Sequence, residues 1–153
     1  MALGVTACNK KIVEAFDTED RMKTFFHGHS FTANPLACAA SLASLDLLLK
    51  DHCLANVEYI AASHRLFCEH LQDRSIVKHA RSIGTVLAFE MLSGKDEYLN
   101  NVSAEATAYL LKKGIYLRPL GNTVYLMPPY CITSAQLEEL YDGLTDFLCK
   151  KVS

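Results

Sequence analysis

Two stretches of this 153-residue chain bring together residue types that can do chemistry. The first is FFHGHSFTANPLACAASLAS, residues 25–44, where His27 and His29 flank Gly28 and are followed by Ser30 and Thr32. Two imidazoles at i, i+2 can bind a metal. No further His, Cys or carboxylate stands nearby at the spacing an HExxH-type site requires, so the rings read as partners for nearby carbonyls and Gly28 as a backbone device. Ser30 lacks the GxSxG surroundings of a hydrolase nucleophile. It reads instead as a hydroxyl donor to an anion at the start of a helix, with a plain turn serine as the alternative. The second stretch is Arg118-Pro119-Leu120-Gly121. Proline holds the residue before it extended, and a guanidinium so held can grip a carboxylate through two parallel hydrogen bonds. A surface ion pair is the alternative. Tyr125 and Tyr130 flank this arginine; an aromatic in a strand is usually core, with its hydroxyl paired locally. Only Lys78 has a strand-like setting, and no lysine has the surroundings of a Schiff-base former.

The elements that must carry these residues follow from periodicity. Asn34 is a good N-cap and Pro35 fits the first helical position, so a helix is expected over residues 35–50. Its apolar residues leave almost no polar face, which predicts a helix buried on all sides. Ser41, Ser44 and Asp46 interrupt it and Lys50-Asp51 close it, short of a membrane span. Before it come a strand at residues 2–8, a short helix at 10–16 and a loop at 21–33. After a break at His52-Cys53, a second long helix covers 54–73, with Val57, Ile60, Ala61, Leu66, Phe67 and Leu71 inward. Paired strands at 76–82 and 85–92 meet around Gly84. A turn at 93–96 leads to a helix at 102–113, with Ala104, Ala108, Leu110 and Leu111 inward and Gly114 as its C′ residue. Short strands follow at 115–117 and 123–127. A last helix at 136–150 is capped by Ser134 and buries Leu137, Leu140, Leu144, Phe147 and Leu148. Glu138 lies one place beyond capping-box spacing, so the cap alone is expected. These elements predict an α/β chain whose final part is an α+β small domain, mostly antiparallel sheet with flanking helices.

Composition bounds the class. The chain is 50% hydrophobic and 21% charged with a net charge of −2, an ordinary globular balance. Its basic residues cluster only as doublets, so nucleic acid is not the expected partner. The six cysteines show no CxxC and sit among apolar neighbours, which points to free thiols in a reducing compartment. No basic leader precedes the first apolar run, and no membrane association is expected.

HGHSFTANPLACAASLASLDLL resembles the phosphate-loop-and-helix segment of class III, fold-type-I pyridoxal-phosphate aminotransferases, whose pattern is G-[HPY]-[ST]-[FY]-x-x-[NH]-P-L-A-x-A-A. GIYLRPLGNTVYLMPPYCIT is similar to the C-terminal domain of the branch that works in biotin biosynthesis, and the strand pair around residues 81–90 matches in kind. The resemblance implies a transferase that moves an amino group from S-adenosylmethionine to 8-amino-7-oxononanoate, on pyridoxal phosphate, as a cytoplasmic homodimer. It implies that Ser30 helps hold the cofactor phosphate of the neighbouring subunit. His29 beside it stands where some relatives carry proline. Arg118 is implied to bind the substrate carboxylate and Tyr125 to lie near it. The family's Schiff-base lysine falls in a segment before the stretch resembling residues 1–8. The chain is therefore expected to be the last third of such an enzyme, inactive alone. Residues 1–33 would be the tail of the large cofactor domain, 34–51 a buried inter-domain helix, and 52–153 the small domain. On that reading the helix at 35–50 would be partly uncovered. Another class III ω-aminotransferase, of ornithine or 4-aminobutyrate type, is the nearest alternative. A free-standing, non-catalytic binding domain is the more distant one.

Overall fold

The computed structural model describes residues 3–92 and 102–152; the expected turn at 93–96 lies outside them. The chain divides into two compact units, Met1–Leu49 and Lys50–Ser153.

The first unit holds α1 (Lys10–Glu14), a 3-10 turn at Arg21–Lys23, and α2 (Pro35–Leu48). Residues 3–9 are not a strand. A strand's amides and carbonyls need a ladder, and among the described residues none pairs with them. Asn34 caps α2 as expected, its side chain accepting from the amides of Leu36 at 3.0 Å and Ala37 at 3.2 Å. The burial expected of α2 is not found. Ala37 is enclosed, but Leu36 is 69% exposed and Leu42 64%. A helix with leucine on every side needs protein on every side. Among the described residues of its own unit, α2 has only a five-residue helix, a 3-10 turn and loops for company.

The second unit begins with α3 (Asp51–Gln72), three residues earlier than expected. The break falls at Leu49-Lys50: Lys50 is extended, with ψ 138°, and Asp51 places a carboxylate in the first helical turn, where the helix dipole favours it. Three strands follow in the order β1-β2-β3, all antiparallel: β1 (Val77–Ile83), β2 (Val86–Met91) and β3 (Thr123–Leu126). Gly84, at φ +51°, takes the left-handed conformation that the turn between β1 and β2 requires. A bulge between Lys78 and Arg81 puts His79 at φ +52°, and the Arg81 guanidinium donates to the His79 carbonyl at 2.8 Å.

Residues 87, 89 and 91 of β2 are buried, as are Val124 and Leu126 of β3. They meet Phe67 and Leu71 of α3, Ala106 and Leu110 of α4 (Val102–Leu111), and Leu144, Phe147 and Leu148 of α5 (Ser134–Val152) in one core. Sheet with flanking helices is thus the observed architecture of this unit. Some facings differ from expectation. Leu66 of α3 is exposed, and α4 turns Ala106 and Leu110 inward while Ala104, Ala108 and Leu111 face out. Alanine is too small to orient a helix, so the rotation of α4 is set by Leu110 and by Tyr109, which packs on Phe147 with ring centres 5.5 Å apart.

The cap of α5 is Thr133, not Ser134. The Thr133 hydroxyl accepts from the Gln136 amide at 3.3 Å, and the Gln136 side chain accepts from the Thr133 amide at 3.0 Å. This is a reciprocal capping box, with its hydroxyl one residue earlier than the sequence suggested. None of the six cysteines is in a disulfide.

Candidate functional site

The turn at residues 29–33 is built by one hydroxyl and one backbone pair. The His29 amide donates to Thr32 Oγ1 at 3.1 Å, and the Thr32 amide to the His29 carbonyl at 2.9 Å. Asn34 N then reaches back to the Phe31 carbonyl at 3.1 Å, with Ala33 in the left-handed region at φ +54°. Ser30 sits exposed at the crest, and neither its amide nor its hydroxyl is engaged with any described residue. The rings of His27 and His29 meet edge-on with centres 4.9 Å apart, and Phe25 and Phe16 extend the row at 5.5 and 5.4 Å spacings.

The first turn of α2 is a poorer anion site than its sequence suggested. Pro35 has no N–H, and the amides of Leu36 and Ala37 are occupied by Asn34. Cys38 N donates to the Asn34 carbonyl. Any anion received here is received by the turn and by Ser30, not by the end of the helix. A free hydroxyl and a free amide on an exposed crest fit a phosphate group. His29, whose amide is already engaged by Thr32, has its ring to offer.

In the second unit, Leu120 and Thr123 exchange both backbone hydrogen bonds, at 2.8 and 3.0 Å. They close a two-residue turn in which Gly121 lies at φ +61°. The bridge between them is isolated, and among the described residues no pairing runs on from it toward Arg118. Leu117, Val124 and Leu126 are buried, while Arg118 and Tyr125 are exposed. Arg118 has no ion pair among the described residues. Tyr125 is also not the core aromatic that a strand position suggested; it shares the outward side of the sheet with Ala88, its partner on β2.

The strand expected at 115–117 is not a strand, because its polar groups are satisfied by α4. Ile115 N donates to the Leu110 carbonyl at 2.9 Å, and Thr107 Oγ1 to the Leu117 carbonyl at 3.1 Å. Gly143 of α5 leaves room for this segment: a Cβ there would come within 2.6 Å of Ile115 Cδ1. Asn56 of α3 ties down the chain beyond β3, its carboxamide donating to the carbonyls of Tyr130 and Ile132, the latter at 3.1 Å. Thr107 and Asn56 were not legible as supports, since neither belongs to a motif and their partners lie elsewhere in the chain.

Lys78 is exposed on β1. Lys113 is pushed above the usual lysine range by its hydrogen bond to Asp146, the opposite of what an amine nucleophile needs. Among the described residues no group of three or more His, Cys, Asp or Glu is placed to hold a metal ion. Nor is any helix among them long and apolar enough to cross a membrane.

The family model of class III aminotransferases matches residues 1–148. The adenosylmethionine-8-amino-7-oxononanoate aminotransferase of Synechococcus elongatus is 36% identical over 148 residues, 97% of this chain and 34% of its own length. The crystal structure of the enzyme of that name from Methanocaldococcus jannaschii superposes with a TM-score of 0.81 at 29% identity, over 92% of this chain and 33% of that one. A PMP-bound aminotransferase from Vibrio fluvialis superposes at 0.73 and 28% identity, over 86% of this chain and 31% of its own. The chain thus spans about a third of the length of the relatives it matches. Pyridoxal phosphate is the cofactor of the family. The sequence match over nearly the whole chain and the shared fold lead to one conclusion: this chain belongs to the class III aminotransferases.

Proposed function

We propose that these residues are the C-terminal third of a biotin-pathway aminotransferase that moves an amino group from S-adenosylmethionine to 8-amino-7-oxononanoate, giving 7,8-diaminopelargonate. Residues 1–33 belong to the end of the large cofactor domain, 34–51 to the helix between domains, and 52–153 to the small domain. The enzyme works as a cytoplasmic homodimer. The observation that supports this reading is that Arg118, just before Pro119, is exposed with no ion pair among the described residues, and that Tyr125 is exposed as well.

Arg118 grips the acceptor carboxylate through paired charge-assisted hydrogen bonds, and Pro119 keeps its backbone extended so that the guanidinium is presented at a fixed angle. Tyr125 offers an aromatic face and a hydroxyl beside it. Ser30 donates its hydroxyl and amide to a phosphate oxygen of the neighbouring subunit's cofactor, with the His29 ring alongside. Bound pyridoxal phosphate supplies the electron sink for amino transfer. The lysine that such chemistry requires lies outside these residues, so the 153-residue chain alone does not transaminate.

The experiment is an amino-donor screen on the full-length protein with 8-amino-7-oxononanoate as acceptor. Product formation with S-adenosylmethionine as the preferred donor is expected. Failure to use it, together with turnover of ornithine or 4-aminobutyrate, would assign the protein to another branch of the family.

A further inference from the structure

The residues around Arg118 raise a question that its own side chain does not answer: what holds its backbone still. Residues 115–119 belong to no strand. Downstream, Pro119 and the Leu120–Thr123 pair fix the chain. Upstream, the Leu117 carbonyl accepts from Thr107 Oγ1 at 3.1 Å. That carbonyl belongs to the peptide bond whose nitrogen is Arg118's own. Turning this peptide plane swings the Cα–Cβ direction of Arg118 and, at the end of a long side chain, displaces the guanidinium by much more.

We propose that Thr107 is a positioning residue for Arg118, setting the angle at which the arginine meets a substrate carboxylate. The proposal rests on the carboxylate-binding role given to Arg118 above. Threonine suits the task because branching at Cβ leaves few rotamers. Its helix is itself immobilised, with Ala106 and Leu110 of α4 fully enclosed in the core. Leu117, buried on the same side, keeps the accepting carbonyl from drifting away. The hydroxyl thus connects a packed helix to the peptide that precedes an exposed arginine, across the ten residues from Thr107 to Leu117. A purely structural role is the rival: Thr107 would then only satisfy a carbonyl, and its loss would lower stability without touching the carboxylate.

The test uses the full-length protein and compares Thr107→Val, which keeps the shape and removes the donor, with Thr107→Ser, which keeps the donor. The readouts are KM for 8-amino-7-oxononanoate, kcat, and the Kd of nonanoate, a linear carboxylate that undergoes no reaction. Loss of one orienting hydrogen bond predicts that Thr107→Val raises KM and the nonanoate Kd about three- to tenfold with kcat little changed, and that Thr107→Ser restores both. A Thr107→Val protein that melts earlier but binds nonanoate as well as wild type would overturn the proposal. Arg118→Gln is the control: if it leaves nonanoate binding intact, the role of Arg118 fails, whatever Thr107 does. Should Thr107→Val not fold, the wild-type protein still decides. A backbone order parameter at Arg118 near the rigid value of about 0.85 is expected, and one below about 0.6 contradicts a pinned peptide.

Discussion

His64 is fully enclosed in the second unit, yet both ring nitrogens have partners. Nε2 lies 3.2 Å from the Thr85 carbonyl and Nδ1 2.6 Å from the Tyr141 hydroxyl. A carbonyl can only accept, so Nε2 carries a hydrogen, and in the neutral ring Nδ1 accepts from the tyrosine hydroxyl. Burial holds the ring's pKa below the ordinary value of 6.5, opposed in part by the bond to Thr85. It also raises that of Tyr141, so the phenol stays a donor. A depressed folded-state pKa means that the unfolded chain takes up the proton first. The stabilisation is therefore complete above about pH 6.5 and is lost as the pH falls below it, on through the folded value. Urea midpoints measured from pH 8 down to pH 5 should fall over the acidic half of that range. A His64→Asn variant, less stable throughout, should lose the part of the slope due to His64; an unchanged slope would mean the ring is not held neutral. None of this was legible in the sequence. His64 reads as one more polar residue on an amphipathic helix, and its partner Tyr141 is 77 residues away. Ser30 and Arg118 could be put forward from the sequence because local neighbours, the Asn34-Pro35 helix start and Pro119, constrain them.

At the scale of elements, what the sequence revealed depended on whether the deciding force was local. β1 and β2 came from their own alternation and from Gly84, and the end of α4 from Gly114, which lies at φ +77°. Errors arose where a distant group decided. The segment at 115–117 has the residues of a strand, but α4 meets its polar groups first. The leucines of α2 predicted burial; the company that would bury them is not supplied by its own unit. The start of α5 was misread by one residue for a local reason, since Thr133 and Ser134 are both able caps. The reciprocal bonds between Thr133 and Gln136 separate them. Thr133→Ala should cost about 1 kcal/mol in the denaturation of the 153-residue chain. Ser134→Ala should change it by less than about 0.5 kcal/mol. The reverse order would mean that the hydroxyl of Ser134 does the capping.

At the scale of the whole molecule, two units divide the proposed work between them. Met1–Leu49 carries the turn with Ser30 at its crest, and Lys50–Ser153 carries Arg118 and Tyr125. On the proposed reading each holds parts that bind and orient, and neither holds a lysine suited to covalent chemistry among its described residues. A chain matched to its relatives along nearly all of its own length, but along only 34% of theirs, is expected to recognise without reacting. The most direct measurement is product formation by the purified 153-residue chain, supplied with pyridoxal phosphate, S-adenosylmethionine and 8-amino-7-oxononanoate. It is run beside the full-length protein at equal concentration. The full-length protein should yield 7,8-diaminopelargonate and the chain alone none above the blank. Sustained product from the chain alone would place the reactive lysine within these residues and contradict the account.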